Sequence, residues 1–124
     1  SWIYLEFLFG WWKRLMEHLY GYFNEKQLSE YKVKLHKELF WLLLYKDPKT
    51  KDQFKNTNFE KYFINLMKKI NGLNTLLFYP TEIVSILCLL QAAFNETKVE
   101  PFDYLSYRKL ILDAHSLVDE LPER

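Results

Sequence analysis

Apolar side chains recur three and four positions apart along most of this 124-residue chain. This spacing places them on one face of an α-helix. Two segments show it most clearly, with Leu5, Leu8, Trp12, Leu15, Leu19 and Tyr22 in the first and Phe59, Phe63, Leu66 and Ile70 in the second. The chain has only three Gly and four Pro, too few for the turns of a β-sandwich or barrel. The sequence therefore predicts an all-α fold.

The helical pattern divides into about five segments joined mostly by short links. Their predicted extents are residues 2–23, 24–45, 57–70, 80–94 and 103–121. The second segment is stopped before Pro48, and residues 47–56 form the one long loop. A Thr57–Glu60 capping box opens the third, Asn71–Gly72 ends it, and Asp103 caps the fifth. We predict a single compact bundle spanning residues 1–124, and its abrupt apolar start suggests a fragment of a longer protein.

Two segments are predicted to be deeply buried because they have almost no polar side chains. Residues 39–45, LFWLLLY, end the second helix with a run that should be covered on all sides. Residues 80–94 are apolar nearly all round, which predicts the central helix of the bundle. Within it, Cys88 stands among Ile and Leu residues and is interpreted as a small buried hydrophobic residue.

The sequence carries no recognisable catalytic motif. It contains no glycine-rich phosphate loop, no Cys-x-x-Cys, no His-Glu-x-x-His and no Gly-x-Ser-x-Gly. His18, His36 and His115 fall on three different predicted helices, so a two-histidine metal site between helices stays an open alternative. We therefore expect neither an enzyme nor a cofactor. A single cysteine and no cleavable signal pattern favour an intracellular, cytoplasmic or nuclear, location.

The apolar opening, WIYLEFLFGWW, is too short to cross a membrane. A spanning helix needs about 20 mainly apolar residues, and Lys13, Arg14 and Glu17 follow immediately. An amphipathic membrane anchor would carry a more basic polar face. No membrane span is therefore predicted.

The aromatic content is the strongest functional signal, with four Trp, nine Tyr and ten Phe. The first helix carries a second apolar line beside its seam, and such a helix needs two surfaces to pack on. One of these is predicted to be another chain, either a different protein or a second copy. Aromatic anchors dominate the energetics of such interfaces. The predicted partner-binding residues are Trp2, Tyr4, Phe7, Trp11 and Trp12, with a smaller second contact at Leu105 and Leu112. The alternative is that the first helix lies inside its own bundle.

A lysine-rich segment suggests a different function. Residues 46–69 contain seven Lys against three acidic residues, although the whole chain has a net charge of only +1. Lysines interleaved with aromatic residues suit nucleic-acid or phosphate binding. The candidate residues are Lys49, Lys51, Lys55, Lys61 and Lys68. Because the run contains no Arg, a solvated lysine loop is the competing interpretation.

Two segments near the C-terminus resemble a known family. Residues 78–94, FYPTEIVSILCLLQAAF, and 104–118, YLSYRKLILDAHSLV, are similar to the paired helices in the second half of a cyclin box. In that fold an aromatic-x-Pro-Ser/Thr start opens a buried helix, and here Pro80 and Thr81 occupy the last two positions. The resemblance implies a helical interaction fold. It does not extend to the first helix and carries no specific function over.

Overall fold

The computed structural model describes residues 10–11, 25–77 and 80–121. Over these residues the protein is all-helical, which confirms the predicted fold class. These described ranges contain four α-helices with defined bounds, where about five were predicted for the chain: α1 Glu25–Lys46, α2 Phe59–Leu76, α3 Thr81–Glu96 and α4 Tyr104–Val118. A short 3-10 helix, Lys51–Phe54, interrupts the predicted loop between α1 and α2. Most of the predicted first helix lies outside the described residues, although Gly10 and Trp11 are helical.

The four helices form one compact bundle around a shared core. Each α-helix packs against its neighbours in chain order, and α4 also packs against α1. Every helix contributes side chains spaced three, four or seven positions apart, so that one face of each is buried. The core includes Leu35, Leu39 and Leu42 of α1, Phe63, Leu66 and Ile70 of α2, Ile83, Ile86 and Leu90 of α3, and Tyr107, Ile111 and Ala114 of α4.

The two segments expected to be covered on all sides each have an exposed face. Phe40, within the apolar run 39–45, is 53% exposed. In α3, Val84 and Cys88 are exposed as well, so the predictions of a central helix and a buried Cys88 are wrong. The reason is geometric, because a helix that touches only two neighbours leaves its outer face open. Apolar composition alone did not reveal which residues would face outwards.

The helix ends show which local signals were decisive. Asp103 caps α4 as predicted, its Oδ1 accepting hydrogen bonds from the N–H of Leu105 at 3.1 Å and Ser106 at 3.4 Å. The cap of α2 is Asn58 rather than Thr57, and its Oδ1 accepts from the Lys61 N–H at 3.0 Å. Pro80 occupies the cap position of α3, one residue before the helix begins.

The predicted end of α2 at Asn71–Gly72 is wrong, because the helix continues to Leu76. Glycine inside a helix costs about 1 kcal/mol relative to alanine. Leu73, immediately after it, is buried in the core. Burying a leucine side chain contributes about 1.5–3 kcal/mol. Tertiary packing therefore outweighs the local stop signal.

Candidate functional site

A cluster of aromatic rings joins the α1–α2 connection to the bundle. The ring of Tyr45 meets Phe54 at 5.0 Å and Tyr62 at 5.2 Å between centroids, both edge-to-face. Trp41 meets the same Phe54 ring at 5.7 Å. Edge-to-face pairs contribute about 0.5–1.5 kcal/mol beyond the area that they bury. Part of the large aromatic content therefore holds the 47–58 connection against α1 and joins α1 to α2, a role that the sequence pattern did not indicate.

The aromatic network continues into the core at Tyr107. This side chain is fully buried, and its hydroxyl donates a 2.7 Å hydrogen bond to the Leu42 carbonyl, which ties α4 to α1. Burial strongly raises the pKa of Tyr107, with a smaller contribution from Tyr104. The phenol therefore acts as a neutral structural donor.

Three of the predicted partner-binding residues, Trp11, Leu105 and Leu112, lie in the described part of the chain. Trp11 is 56% exposed, whereas Trp2, Tyr4, Phe7 and Trp12 lie outside the described residues. At the second predicted contact, Leu105 is 72% exposed. Leu112 is half-buried and packs against the core. Leu105 is therefore the more exposed member of this pair.

The outer face of α1 carries an apolar pair that was not among the predicted contact residues. Val33 is 69% exposed, and Phe40 follows it by seven positions, which places both on the same face of the helix. The opposite face carries the core residues Leu35 and Leu39. Lys37 is exposed between the two apolar side chains. The signal was present in the sequence, but Phe40 was assigned to a wholly buried run.

A shallow groove of about 490 Å³ lies between α2 and α3. Its apolar wall is formed by Ile64, Met67 and Leu87, and Cys88 faces it as an exposed free thiol. Lys68 is the charged side chain that lines it. A second hollow of about 380 Å³ lies between α1 and α2, and its lining residues are Glu38, Tyr62, Asn65, Leu66, Lys68 and Lys69.

The candidate lysines are exposed but are mixed with acidic groups. Lys49, Lys51 and Lys55 lie in the α1–α2 connection, and Lys61 and Lys68 lie on α2. In that connection the Asp47 side chain accepts a hydrogen bond from the Lys49 N–H at 2.9 Å. Nearby, Glu60 pairs with Lys98 at 3.0 Å. The acidic neighbours reduce the positive potential that a phosphate would encounter.

Lys46 has a different environment from the exposed lysines. Its Nζ lies 4.4 Å from the centroid of the Phe59 ring, where a cation is attracted to the aromatic face. Partial burial lowers the pKa of Lys46, and the nearby charges of Lys98 and Lys51 lower it further. Lys46 therefore packs over the Phe59 ring, unlike the exposed lysines of the α1–α2 connection.

Two of the three histidines meet between α1 and the end of α4. The rings of His36 and His115 are tilted by 32° with centroids 4.1 Å apart. His36 Nε2 lies 3.1 Å from the His115 carbonyl oxygen and 3.3 Å from Asp119 Oδ1. His18 lies outside the described residues. Within the described part of the chain, no group of three or more His, Cys, Asp or Glu is arranged to hold a metal ion.

Comparisons with known proteins identify no relative. No protein-family model matches the chain, and neither a curated protein nor a solved structure matches it. The two segments that resemble a cyclin box correspond to α3 and α4, which do pack against each other. Among the described helices, none combines the length and apolarity required to cross a bilayer.

Proposed function

We propose that this chain is a non-enzymatic protein-interaction domain, an adaptor or a subunit of a larger complex. It binds its partner through the aromatic N-terminal segment that includes Trp11. The proposal rests on Trp11, which is helical and has 56% of its surface exposed. A tryptophan in this position holds a large apolar surface in water, and its burial against a partner is favourable. Tryptophan is also enriched among the residues that dominate binding energy.

Further exposed apolar side chains support this proposal. Leu105 and the Val33–Phe40 pair are large hydrophobic residues with more than half of their surface in water. Single exposed apolar residues are common, but two that lie seven positions apart on one helix face offer a surface on which another helix can pack. The partner is another protein or a second copy of the chain, in an intracellular setting.

The test replaces Trp11 by Glu in the full chain and compares it with Gln53→Glu. Gln53 is exposed in the 3-10 helix, so this control adds the same charge without removing an apolar anchor. We expect Trp11→Glu to weaken the complex at least tenfold while helicity and Tm stay unchanged. This reflects the loss of an anchor worth about 2 kcal/mol or more. Gln53→Glu should bind like the unmodified chain.

Sedimentation velocity tests whether the chain forms a homodimer. Titration with a purified protein that co-isolates with the chain measures the affinity of a hetero-complex. A chain that remains monomeric, and whose affinity for every isolated candidate is unchanged by Trp11→Glu, contradicts the proposal. Loss of helicity in Trp11→Glu also contradicts it, because Trp11 would then belong to the core. Circular dichroism of both variants separates these outcomes.

The alternative function is nucleic-acid or phosphate binding by Lys49, Lys51, Lys55, Lys61 and Lys68. It is supported by the exposure of all five side chains. It is the weaker proposal because Asp47, Asp52 and Glu60 are interleaved with these lysines. The segment also contains no arginine, whose guanidinium group binds a phosphate through two hydrogen bonds at once.

A further inference from the structure

The last turn of α4 leaves one backbone carbonyl without its usual donor. In a continuing α-helix the Asp119 N–H would bond to the His115 carbonyl. Instead it donates to the Ser116 carbonyl at 3.3 Å, and the next two N–H groups follow the same three-residue pattern, from Glu120 to Leu117 and from Leu121 to Val118. In this tightened turn the His115 carbonyl oxygen therefore receives no hydrogen bond from the Asp119 N–H.

His36 of α1 supplies the missing donor from across the bundle. Its Nε2 lies 3.1 Å from the His115 oxygen, so the Nε2–H tautomer donates a hydrogen bond to it. The same nitrogen faces Asp119 Oδ1 at 3.3 Å. A histidine N–H at a helix C-terminus satisfies a terminal carbonyl that the helix itself leaves unpaired. This contact caps α4 and fastens it to α1.

The ring of His115 is placed where a positive charge is unfavourable. Burial lowers the pKa of His115, the adjacent His36 lowers it further, and Asp119 opposes both effects. Among the described residues, the charges that act on His115 therefore come from His36 of α1 and from Asp119 at the end of its own helix. With ring centroids 4.1 Å apart, two protonated imidazoles would repel each other in a half-buried contact.

We infer that His36, His115 and Asp119 form an acid-sensitive latch, which holds α1 to the C-terminal end of α4 and opens when His115 is protonated. The latched state binds a proton at His115 less readily than the open state. The open state takes up this proton as the pH falls through the ordinary histidine pKa of 6.5. The latch is therefore complete above that pH and weakens below it, with opening increasing by at most about tenfold per pH unit for one proton.

The test measures amide hydrogen exchange of residues 115–121 in the full chain at about pH 7.5, 6.5 and 5.5. Protection factors corrected for the intrinsic exchange rate report the opening equilibrium. We expect these protection factors to fall severalfold from the highest to the lowest of these pH values in the unmodified chain. His115→Phe keeps an aromatic ring against His36 but cannot be protonated, so its protection should vary much less over this range.

A second variant tests the contribution of the histidine pair. His36→Gln retains a side-chain N–H donor and removes the second ionisable ring. It should keep the protection of the α4 end at the highest pH and show a weaker pH dependence than the unmodified chain. Equal pH dependence in the unmodified chain and His115→Phe would overturn the proposal. So would equal dependence in the unmodified chain and His36→Gln. The other ionisable residues are the same in all three chains, so a difference in pH dependence between them reports on His36 or His115.

Discussion

Asn74 is the one residue of the described core that does not match its surroundings. It lies on the buried face of α2 with 4% of its surface exposed. Its Oδ1 is buried and accepts no hydrogen bond from the described residues. A buried polar atom without a partner typically costs about 1–3 kcal/mol. The local sequence, INGLNTL, does not distinguish this asparagine from the exposed Asn71 three positions earlier.

Replacing Asn74 by Leu should stabilise the protein. The two side chains are similar in size, and the change removes the unpaired oxygen and adds apolar surface to the core. We expect the free energy of unfolding to rise by about 1–2 kcal/mol, measured by urea denaturation. The control, Asn71→Leu on the exposed face of the same helix, should change it by less than about 0.5 kcal/mol. A less stable Asn74→Leu variant would show that the amide makes a necessary contact.

The burial of single residues was predictable from the sequence where polar and apolar residues occupy clearly different faces of a helix. On α4, Tyr107, Ile111 and Ala114 were assigned to the buried face and are buried. Their polar counterparts alternate with them, so the face was unambiguous. In α3 and at the end of α1 the sequence does not distinguish a buried face from an exposed one, because nearly every residue is apolar. Cys88 and Phe40 were therefore placed in the core, although both face outwards.

At the scale of single elements, the Asp103 cap gives α4 a sharp start. Hydrogen bonding from the Ser106 hydroxyl, at 2.7 Å, and from backbone N–H groups lowers the pKa of Asp103 below its ordinary value of 3.8. A carboxyl group with a lowered pKa in the folded state stabilises that state above its ordinary pKa. The contribution disappears as the pH falls through the lowered pKa.

Asp103→Ala should therefore lower Tm at neutral pH, and the difference from the unmodified chain should shrink as the pH falls below 3.8. Asp103→Asn keeps a neutral acceptor and should retain most of the cap in both pH ranges. Thermal unfolding followed by circular dichroism measures each variant, with Asp113→Ala as a control on the exposed middle of α4. A Tm difference for Asp103→Ala that does not change with pH would argue against the charged cap.

Helix ends were predictable only where a local signal agreed with the packing. The Asp103 cap was found because a good capping residue immediately precedes the helical pattern. Asn71–Gly72 misled the prediction because its stop signal is local, whereas Leu73 and Asn74 are buried by distant elements. Thr57 and Asn58 are both good caps by composition. The choice between them depends on which residue leaves the helical conformation beside the first turn, and sequence spacing does not specify this.

At the scale of the whole molecule, the bundle leaves an outward face on each helix. α4 contacts α1 and α3, and α2 contacts the same two helices. The fold class and the helical segments after residue 24 followed from apolar spacing and from the scarcity of glycine and proline. The pairing of His36 with His115 did not, because residues 79 positions apart meet only through the packing of α1 on α4. The candidate surfaces likewise depend on which faces the neighbouring helices leave uncovered.

Leu39 and Phe40 are adjacent in sequence and test this arrangement directly. Leu39 is fully buried between the helices, whereas Phe40 points away from them. Leu39→Ala removes packed methyl groups and leaves a cavity, which should lower the free energy of unfolding by about 2–5 kcal/mol. Phe40→Ala loses little core packing and should change it by less than about 0.5 kcal/mol. Urea denaturation of the monomer at low protein concentration provides the measurement.

The same pair also separates folding from binding. Because Phe40 shares the outer face of α1 with Val33, its replacement should alter association more than stability if that face contacts a partner. Leu39→Ala should reduce stability without a specific effect on the affinity of the folded fraction. Destabilisation by more than about 2 kcal/mol in Phe40→Ala would mean that this ring is covered by part of the chain itself. The outer face of α1 would then belong to the core, as the apolar run 39–45 first suggested.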